Sequence, residues 1–510
     1  MRVHYGQDSE TGLNSGTQMT EESLSYSVKQ LSVASIFLLW RKVMQSNEVK
    51  LEKKLSPINV WALAFGCIIG WGAFVMPGNT FLPNAGPLGT AIGMGIAAVI
   101  MSIIACNYNY MINKYPQAGG EFTYTKHSFG PNHAFICAWF LSLSYATLVP
   151  MNATALALIC RNIMGDIFQF GYLYTVSGYD IYAGELLLAL GALIIFGIFS
   201  IKGVRFAGNV QVLLTVALAA SVTIIGVAAL LSPKASLANL TPAFHPGSST
   251  FSGVLAVLAV SPYCFVGFDT IPQSAEEFKF SVRKTRFIMI VAILFGCLVY
   301  VTLNTATAAV VPDGYANWAE YINDVPNLSG LESLPTFHAA YELLGTFGLA
   351  FLGIAVVSAV LSGIIGFYMA TSRLLYSMAQ EGVIPAWFGV LDEKHKTPRN
   401  AILAHMCLAL IAPFFGRNAL TWLVDMTSLG AAIGYGYTSA AAVKYALKER
   451  RTGVVITGVF GTILAIILAL ILLVPIPVLN CSLGKESLIC LIAWILLGII
   501  FYFSQKKNRR

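Results

Sequence analysis

The sequence predicts an all-α polytopic membrane protein with about twelve transmembrane helices. Three observations predict it. Of the 510 residues, 56% are hydrophobic and only 11% are charged, against roughly 25% charged residues in a soluble domain; mean hydropathy is +0.71. Twelve long apolar runs follow one another with short loops between them, most near the ~20 residues needed to cross a bilayer. Finally, Lys and Arg segregate to alternate loops. This composition excludes an ordinary soluble enzyme, a disordered chain and a nucleic-acid-binding domain. A barrel is disfavoured because the runs are long and do not alternate.

In chain order, residues 1–56 form a tail. Its first thirty residues are polar and expected to be disordered, and the apolar stretch 31–40 is too short to span and is followed by Arg41 and Lys42, which suits an interfacial helix over 31–44. An equal alternative starts the protein at Met44. The spans then fall at about 57–82, 87–113, 133–160, 182–201, 206–232, 250–276, 287–310, 337–372, 400–415, 421–443, 453–475 and 486–504. No secretory signal peptide is expected at the start. Nine scattered cysteines without a C-x-x-C pair read as small apolar core residues, with Cys481 and Cys490 able to pair across a loop.

The +7 net charge is a topology signal. Of 31 Lys and Arg residues, 27 lie in the tails and in alternate loops, and only Arg161, Lys234, Arg417 and Lys485 lie on the other side. Basic residues concentrate on the cytoplasmic side. Both termini are therefore expected in the cytoplasm, the span count is even, and the expected location is the plasma (inner) membrane.

Two spans carry signs of interruption. The first, NVWALAFGCIIGWGAFVMPGN, holds Gly66, Gly70 and Gly72 mid-membrane with Pro77 after them; each glycine costs a helix roughly 1 kcal/mol relative to alanine. The sixth, GVLAVLAVSPYCFVGFDTIPQSAEEF, has Pro262, Gly267 and Pro272 at the same depth, with Asp269 among them. Proline removes a helix hydrogen bond and clashes with the preceding turn. These spans open two five-helix units, 57–232 and 250–446, followed by 447–510 with two further helices and a basic tail. Five helices per unit make the units opposite in orientation. Paired broken helices in inverted repeats point to a transporter site.

The stretches IIGWGAFVMPG (68–78), NKYPQAGGEFTYTKHSFGP (113–131), SPYCFVGFDTIPQSAEEFK (261–279) and ATSRLLYSMAQEGVIPAWF (370–388) resemble, in this order and spacing, permeases of the amino acid–polyamine–organocation (APC) superfamily. The resemblance covers about residues 55–504. It implies a 5+5 inverted-repeat core of the leucine-transporter type plus two added helices. The GFD…EE wording of span six is most similar to the branch that includes cationic amino acid transporters.

An amino acid presents a carboxylate and an ammonium. N–H groups freed around Ile69, Gly70, Trp71 and Gly72 suit the carboxylate. Carbonyls freed near Tyr263, Cys264, Phe265, Val266 and Gly267 suit the ammonium, and the resemblance implies the same assignment. Trp71 departs from the family, which usually has a small residue there; it either narrows the pocket or turns away into packing. Tyr263 stands where relatives often have an aromatic gate, Phe268 flanks it, and Phe367 and Tyr368 are candidates for a facing wall. Glu121, Glu276, Glu277 and Arg373 cluster at the inner ends of their segments, and Arg373 can pair with one of these acids to close an inner gate.

Asp269 is the intramembrane acid and the coupling candidate, since such groups are functional by default; a structural or gating role is favoured over a counter-charge role. Asp425 and Glu185 read as solvated helix ends. Some relatives place a Lys in span five; here the slot falls at about Ala217 or Leu218 and holds no base. Ser358 and Ser362 offer hydroxyls, more simply read as packing. The expected function is secondary transport of amino acids, neutral or aromatic ones favoured, by proton coupling or exchange; a cationic amino acid or polyamine exchanger is the alternative. The partners are an amino acid or amine substrate, protons and the lipid bilayer, with no nucleic acid. The seven histidines are scattered without H-E-x-x-H, so no metal, no cofactor and no enzyme activity is expected. A transport-inactive nutrient sensor is the remaining class.

Overall fold

The computed structural model describes residues 51–176, 178–474 and 483–508. Residues 1–50 of the tail, with the interfacial segment 31–44 and Met44, and Cys481 lie outside these residues. The chain is an all-α polytopic membrane protein. Its two described strands, β1 (Tyr172–Val176) and β2 (Tyr179–Tyr182), pair as an antiparallel hairpin.

Helix α1 (Pro57–Ile68) opens at Ser56, whose hydroxyl accepts the Asn59 N–H while Asn59 Oδ1 accepts the Ser56 N–H at 3.1 Å. This reciprocal capping satisfies donors that a helix start leaves free. The helix stops at Ile68 because extended Ile69 and the glycines beyond it do not continue it. Helix α2 (Gly72–Met76) resumes and passes through a π turn at Pro77–Phe81 into α3 (Leu82–Lys114). Gly86, at φ +70°, bends α3 sharply; a side chain there would stand 2.9 Å from the backbone at Phe244 and His245. Then come α4 (Gly120–Phe129), α5 (Pro131–Met164), α6 (Ala183–Ile201) and α7 (Val204–Leu231). Helix α8 (Thr250–Phe265) breaks before the short α9 (Thr270–Gln273), and α10 (Thr285–Ala309) follows. Next are α11 (Trp318–Asp324), α12 (Pro335–Leu344), α13 (Thr346–Gln380), α14 (Arg399–Ala409), α15 (Arg417–Lys448), α16 (Thr452–Leu473) and α17 (Lys485–Asn508).

Among the described residues nine stretches are long and apolar enough to cross a membrane, the bent Gly72–Lys114 counting as one. Pro57–Ile68 and Arg399–Phe415 are apolar but shorter. Helix α1 packs against α7, α10 and α13, α3 against α8 and α10, and α15 against α5 and α16. A continuous buried cluster runs through α1, α3, α5, α8, α10 and α13. Large apolar side chains stay exposed on α6, α7, α10, α16 and α17; a broad apolar exterior is what a lipid-facing surface requires, and it is abnormal for a soluble protein.

Three expectations need correction. The span expected at 337–372 is two helices, because Gly345 at φ +62° separates α12 from α13. Glu185 is not solvated: Arg161 grips it through Nε–Oε1 (2.5 Å) and Nη2–Oε2 (2.6 Å), and the guanidinium lies over the Tyr179 ring of the hairpin. A two-pronged, charge-assisted contact of this kind satisfies both ions. Asp425 is likewise engaged, accepting the Ser487 hydroxyl at 2.6 Å and so tying the start of α17 to α15.

Candidate functional site

The two helix breaks lie against each other. At the first, the Ile69 N–H closes α1 on Phe65 O (3.1 Å), and the chain is non-helical through Gly70 before α2 starts at Gly72. The first N–H groups of a helix have no partner within it; here those of Ala73 and Phe74 close back on Gly70 O (3.3 Å) and Trp71 O (3.1 Å), which leaves the N–H groups of Gly70, Trp71 and Gly72 as the donors at this end. Gly70 and Trp71 are both half-buried.

At the second break, Val266 caps α8 by donating to Pro262 O (3.1 Å), leaving the last carbonyls of α8 without helical partners. Gly267 adopts φ +143°, and a Cβ there would lie 2.6 Å from Ile68 N and 2.8 Å from Cys67 C. Only glycine lets the two chains approach so closely. Across the contact Tyr263 reaches Gly72: a Cβ on Gly72 would sit 3.1 Å from the Tyr263 hydroxyl. Half-helix ends of opposite polarity, from Gly70–Gly72 and Tyr263–Phe265, are thus brought side by side, with Tyr263 over the first.

Asp269 is fully buried and fully engaged. One carboxylate oxygen accepts the Gly267 N–H (2.7 Å) and the other the Tyr145 hydroxyl (2.9 Å). The acid therefore braces the break, replacing the helical acceptor that Gly267 has lost. Phe367 packs by the same tyrosine, with ring centroids 5.9 Å apart. Tyr368, one residue and so about 100° further round the helix, turns away: it donates to Leu193 O (3.2 Å) and meets His405. The two do not form one wall. Phe268 also points away from Tyr263, stacked on Tyr435 (5.5 Å) and edge-on to Tyr108.

The four charged gate candidates divide between three places. Arg373 and Glu277 form a buried ion pair, Nη2–Oε1 3.0 Å and Nε–Oε2 3.2 Å, with Ser372 accepting from Nη1. Glu276 accepts the Ala118 N–H (3.1 Å). Glu121 sits in a separate buried network, accepting from Tyr108 (2.8 Å) and Gln273 (2.5 Å). The foot of α1 is fastened to this region: the N–H groups of Lys54 and Leu55 both donate to Glu277 O (2.9 Å), and Lys279 N–H donates to Leu55 O (2.9 Å).

Several polar side chains at the breaks, Ser362 excepted, were not singled out from the sequence. Asn152 on α5 donates to Leu148 O, but its buried Oδ1 has no partner among the described residues and lies 3.4 Å from where a Gly70 Cβ would stand. Gln211 and Thr215 on α7 donate to Ala62 O (3.2 and 3.1 Å), and Ser362 on α13 reaches Gly66 O (2.9 Å). Helix α7 thus meets the middle of α1 through Gln211 and Thr215, earlier than the Ala217–Leu218 slot. Tyr300 on α10 donates to Ile68 O (3.3 Å). The only sequence signal for these residues is polarity inside an apolar helix, which does not say which face they occupy. Among the described residues no cluster of three potential metal ligands occurs.

Comparison with known proteins places the chain in a family. Cationic amino acid transporter 4, vacuolar, of Arabidopsis thaliana is 26% identical over 396 residues, covering 76% of this chain. This chain spans 62% of the length of that relative. A methylthioribose transporter of Bacillus subtilis is 24% identical over 475 residues, and a branched-chain amino acid permease of the same bacterium is 26% identical over 484; each alignment covers 91% of this chain and 95% of the relative. The sequence profile described as amino acid permease matches residues 55–501, and by that match the chain belongs to the amino acid permeases of the APC superfamily.

Proposed function

We propose that the chain is a secondary active transporter that moves neutral amino acids with apolar or aromatic side chains by alternating access. In this reading twelve spans build a 5+5 inverted-repeat core, 57–232 and 250–446, with two further helices in 447–510. Both termini face the cytoplasm from the plasma (inner) membrane. The substrate carboxylate lies on the N–H groups at Gly70–Gly72, and its ammonium on the carbonyls near Tyr263–Phe265 and on Asn152 Oδ1. Tyr263 closes over it, and the Arg373–Glu277 pair holds the inner end shut.

One observation carries the preference for neutral substrates. Both oxygens of Asp269 have protein donors, Gly267 and Tyr145, so the carboxylate is committed to bracing the break, and a cationic side chain would have to compete with these bonds to reach it. A buried charge needs a partner, and a lysine or polyamine substrate would arrive without one. The branched-chain permease aligned over almost its whole length supports the same preference. The second reading, a cationic amino acid or polyamine exchanger, is favoured by the relative named for cationic substrates.

Coupling is by protons or by exchange. A proton on Asp269 would weaken the charge-assisted bond from Gly267, of roughly 1.5–3 kcal/mol, and loosen the break. The test is full-length protein in liposomes with labelled neutral and cationic amino acids and polyamines, under imposed pH or sodium gradients or with unlabelled substrate inside. Accumulation of apolar amino acids is expected. No accumulation of anything would leave the sensor reading, and preference for cations would establish the exchanger. Asp269→Asn is expected to slow transport about tenfold or more, on the scale of that hydrogen bond, without reordering substrate preference; selective loss of cationic substrates would sink the neutral assignment.

A further inference from the structure

At the end of the bundle that holds the foot of α1, a cavity of about 440 Å³ is lined by Lys54, Lys202, Arg205, Asn209, Lys394 and His395. Three parts of the chain meet there: the entry to α1, the α6–α7 turn and the loop before α14. Among the described residues, Lys202, Arg205 and Lys394 have no carboxylate within ion-pair distance, and only Lys54 does, pairing with Glu52. The turn is held rather than loose: Thr397 donates to Ile201 O (2.9 Å), fixing the loop of Lys394 and His395 against the end of α6.

Concentrated positive charge facing a cavity, with three of its four Lys and Arg residues unpaired among the described residues, calls for an anion. Its surroundings say which kind. Phe206 lines the cavity and is 43% exposed. From it an apolar stripe climbs α7 through Leu213 (70% exposed) and Val216 (51%), flanked on α6 by exposed Ile195 and Ile198. Phe199 packs edge-on to Phe206 (5.2 Å), and the Lys202 ammonium lies over the Phe199 ring at 5.6 Å. A phosphate group in the cavity would therefore continue into an apolar track on the lipid-facing exterior. Free phosphate would use the charges and leave that track unused. Basic pockets between helices on the cytoplasmic side are suited to anionic headgroups.

We infer that this cavity is a binding site for the phosphate headgroup of an anionic lipid, with an acyl chain lying along the α6–α7 surface. The inference rests on the proposed orientation, with this end cytoplasmic. The site reaches the inner gate through one residue. Lys54 lines the cavity, and its own N–H is bonded to the carbonyl of Glu277, the acid that pairs with Arg373. A bound headgroup thus steadies the strand pairing that holds the foot of α1 to the gate.

The test is native mass spectrometry of the full-length protein titrated with phosphatidylglycerol, with and without millimolar inorganic phosphate. Three proteins are compared: wild type; Lys202→Gln/Arg205→Gln/Lys394→Gln; and Lys448→Gln/Arg450→Gln/Arg451→Gln, which removes the same charge elsewhere. Wild type and the second variant are expected to retain lipid despite phosphate, and the first to lose about tenfold or more in retention. Equal retention by the cavity variant, equal loss by the control variant, or full displacement by inorganic phosphate would each overturn the lipid site. Hydrogen exchange at Leu55 and Lys279 should slow when phosphatidylglycerol binds the wild type; unchanged exchange would refute the link to the gate. Neither readout needs transport, so the site can fail while the transporter reading stands, and the reverse.

Discussion

Gly267 and Gly72 are both indispensable-looking glycines, yet their surroundings separate them. A methyl group on Gly267 would meet backbone atoms of Cys67 and Ile68, which have no freedom to retreat, and would also force an unfavourable φ, itself a cost of about 1–3 kcal/mol. Gly267→Ala is therefore expected to lower the thermal unfolding temperature and to abolish binding with it. A side chain on Gly72 meets the hydroxyl and ring edge of Tyr263 and the sulfur of Met76, side-chain atoms rather than backbone. Gly72→Val should fold with near-normal stability and lose substrate binding by crowding the exposed N–H groups. Normal binding by a folded Gly72→Val protein would refute the placement of the carboxylate. Asn152 belongs beside them: neutral amide side chains in apolar helices look alike in sequence whether they face lipid, core or ligand.

Between elements, the decisive contact is the Arg373–Glu277 pair linking α13 to the end of the second broken segment. Breaking a buried pair by removing one partner costs about 3–5 kcal/mol, because the other charge is stranded, whereas replacing both by apolar groups is often neutral. Arg373→Met and Glu277→Leu alone should each depress thermal stability sharply, and the double variant should recover most of it while transporting poorly. Single variants as stable as wild type would show that the pair holds nothing together. This pairing was readable in outline, since four charges close to otherwise apolar segments are few enough to consider one by one. The sequence did not distinguish the partner: Glu121, equally acidic and equally buried, accepts from Tyr108 and Gln273 instead. Nor could it show that Gly345 divides the apolar stretch of α12 and α13, because apolarity runs on across it.

For the molecule as a whole, the asymmetry of 27 basic residues against four makes a directional prediction. In cells expressing single-cysteine versions on a cysteine-free background, a membrane-impermeant thiol reagent added outside should label Lys234→Cys and spare Lys448→Cys until the membrane is opened. The opposite pattern would invert the proposed topology and move the lipid cavity to the other leaflet. The helical, membrane-spanning character and the two breaks were legible because each depends on local composition: apolar length in one case, glycine and proline density in the other. The lipid cavity was not, because Lys54, Lys202 and Lys394 come from three distant stretches that only the packing of α1, α6, α7 and the loop before α14 assembles.

The backbone bonds between Lys54, Leu55, Glu277 and Lys279 give these distant stretches a mechanical meaning. Two segments more than two hundred residues apart in the chain are laced together as a short parallel ribbon at one end of the bundle. A displacement of one must either carry the other with it or break the three backbone hydrogen bonds between them. The two broken segments are thus yoked at two points, this ribbon and the close approach of Gly267 to Ile68, so a movement of α1 in the proposed transport cycle would carry the end of the second broken segment with it.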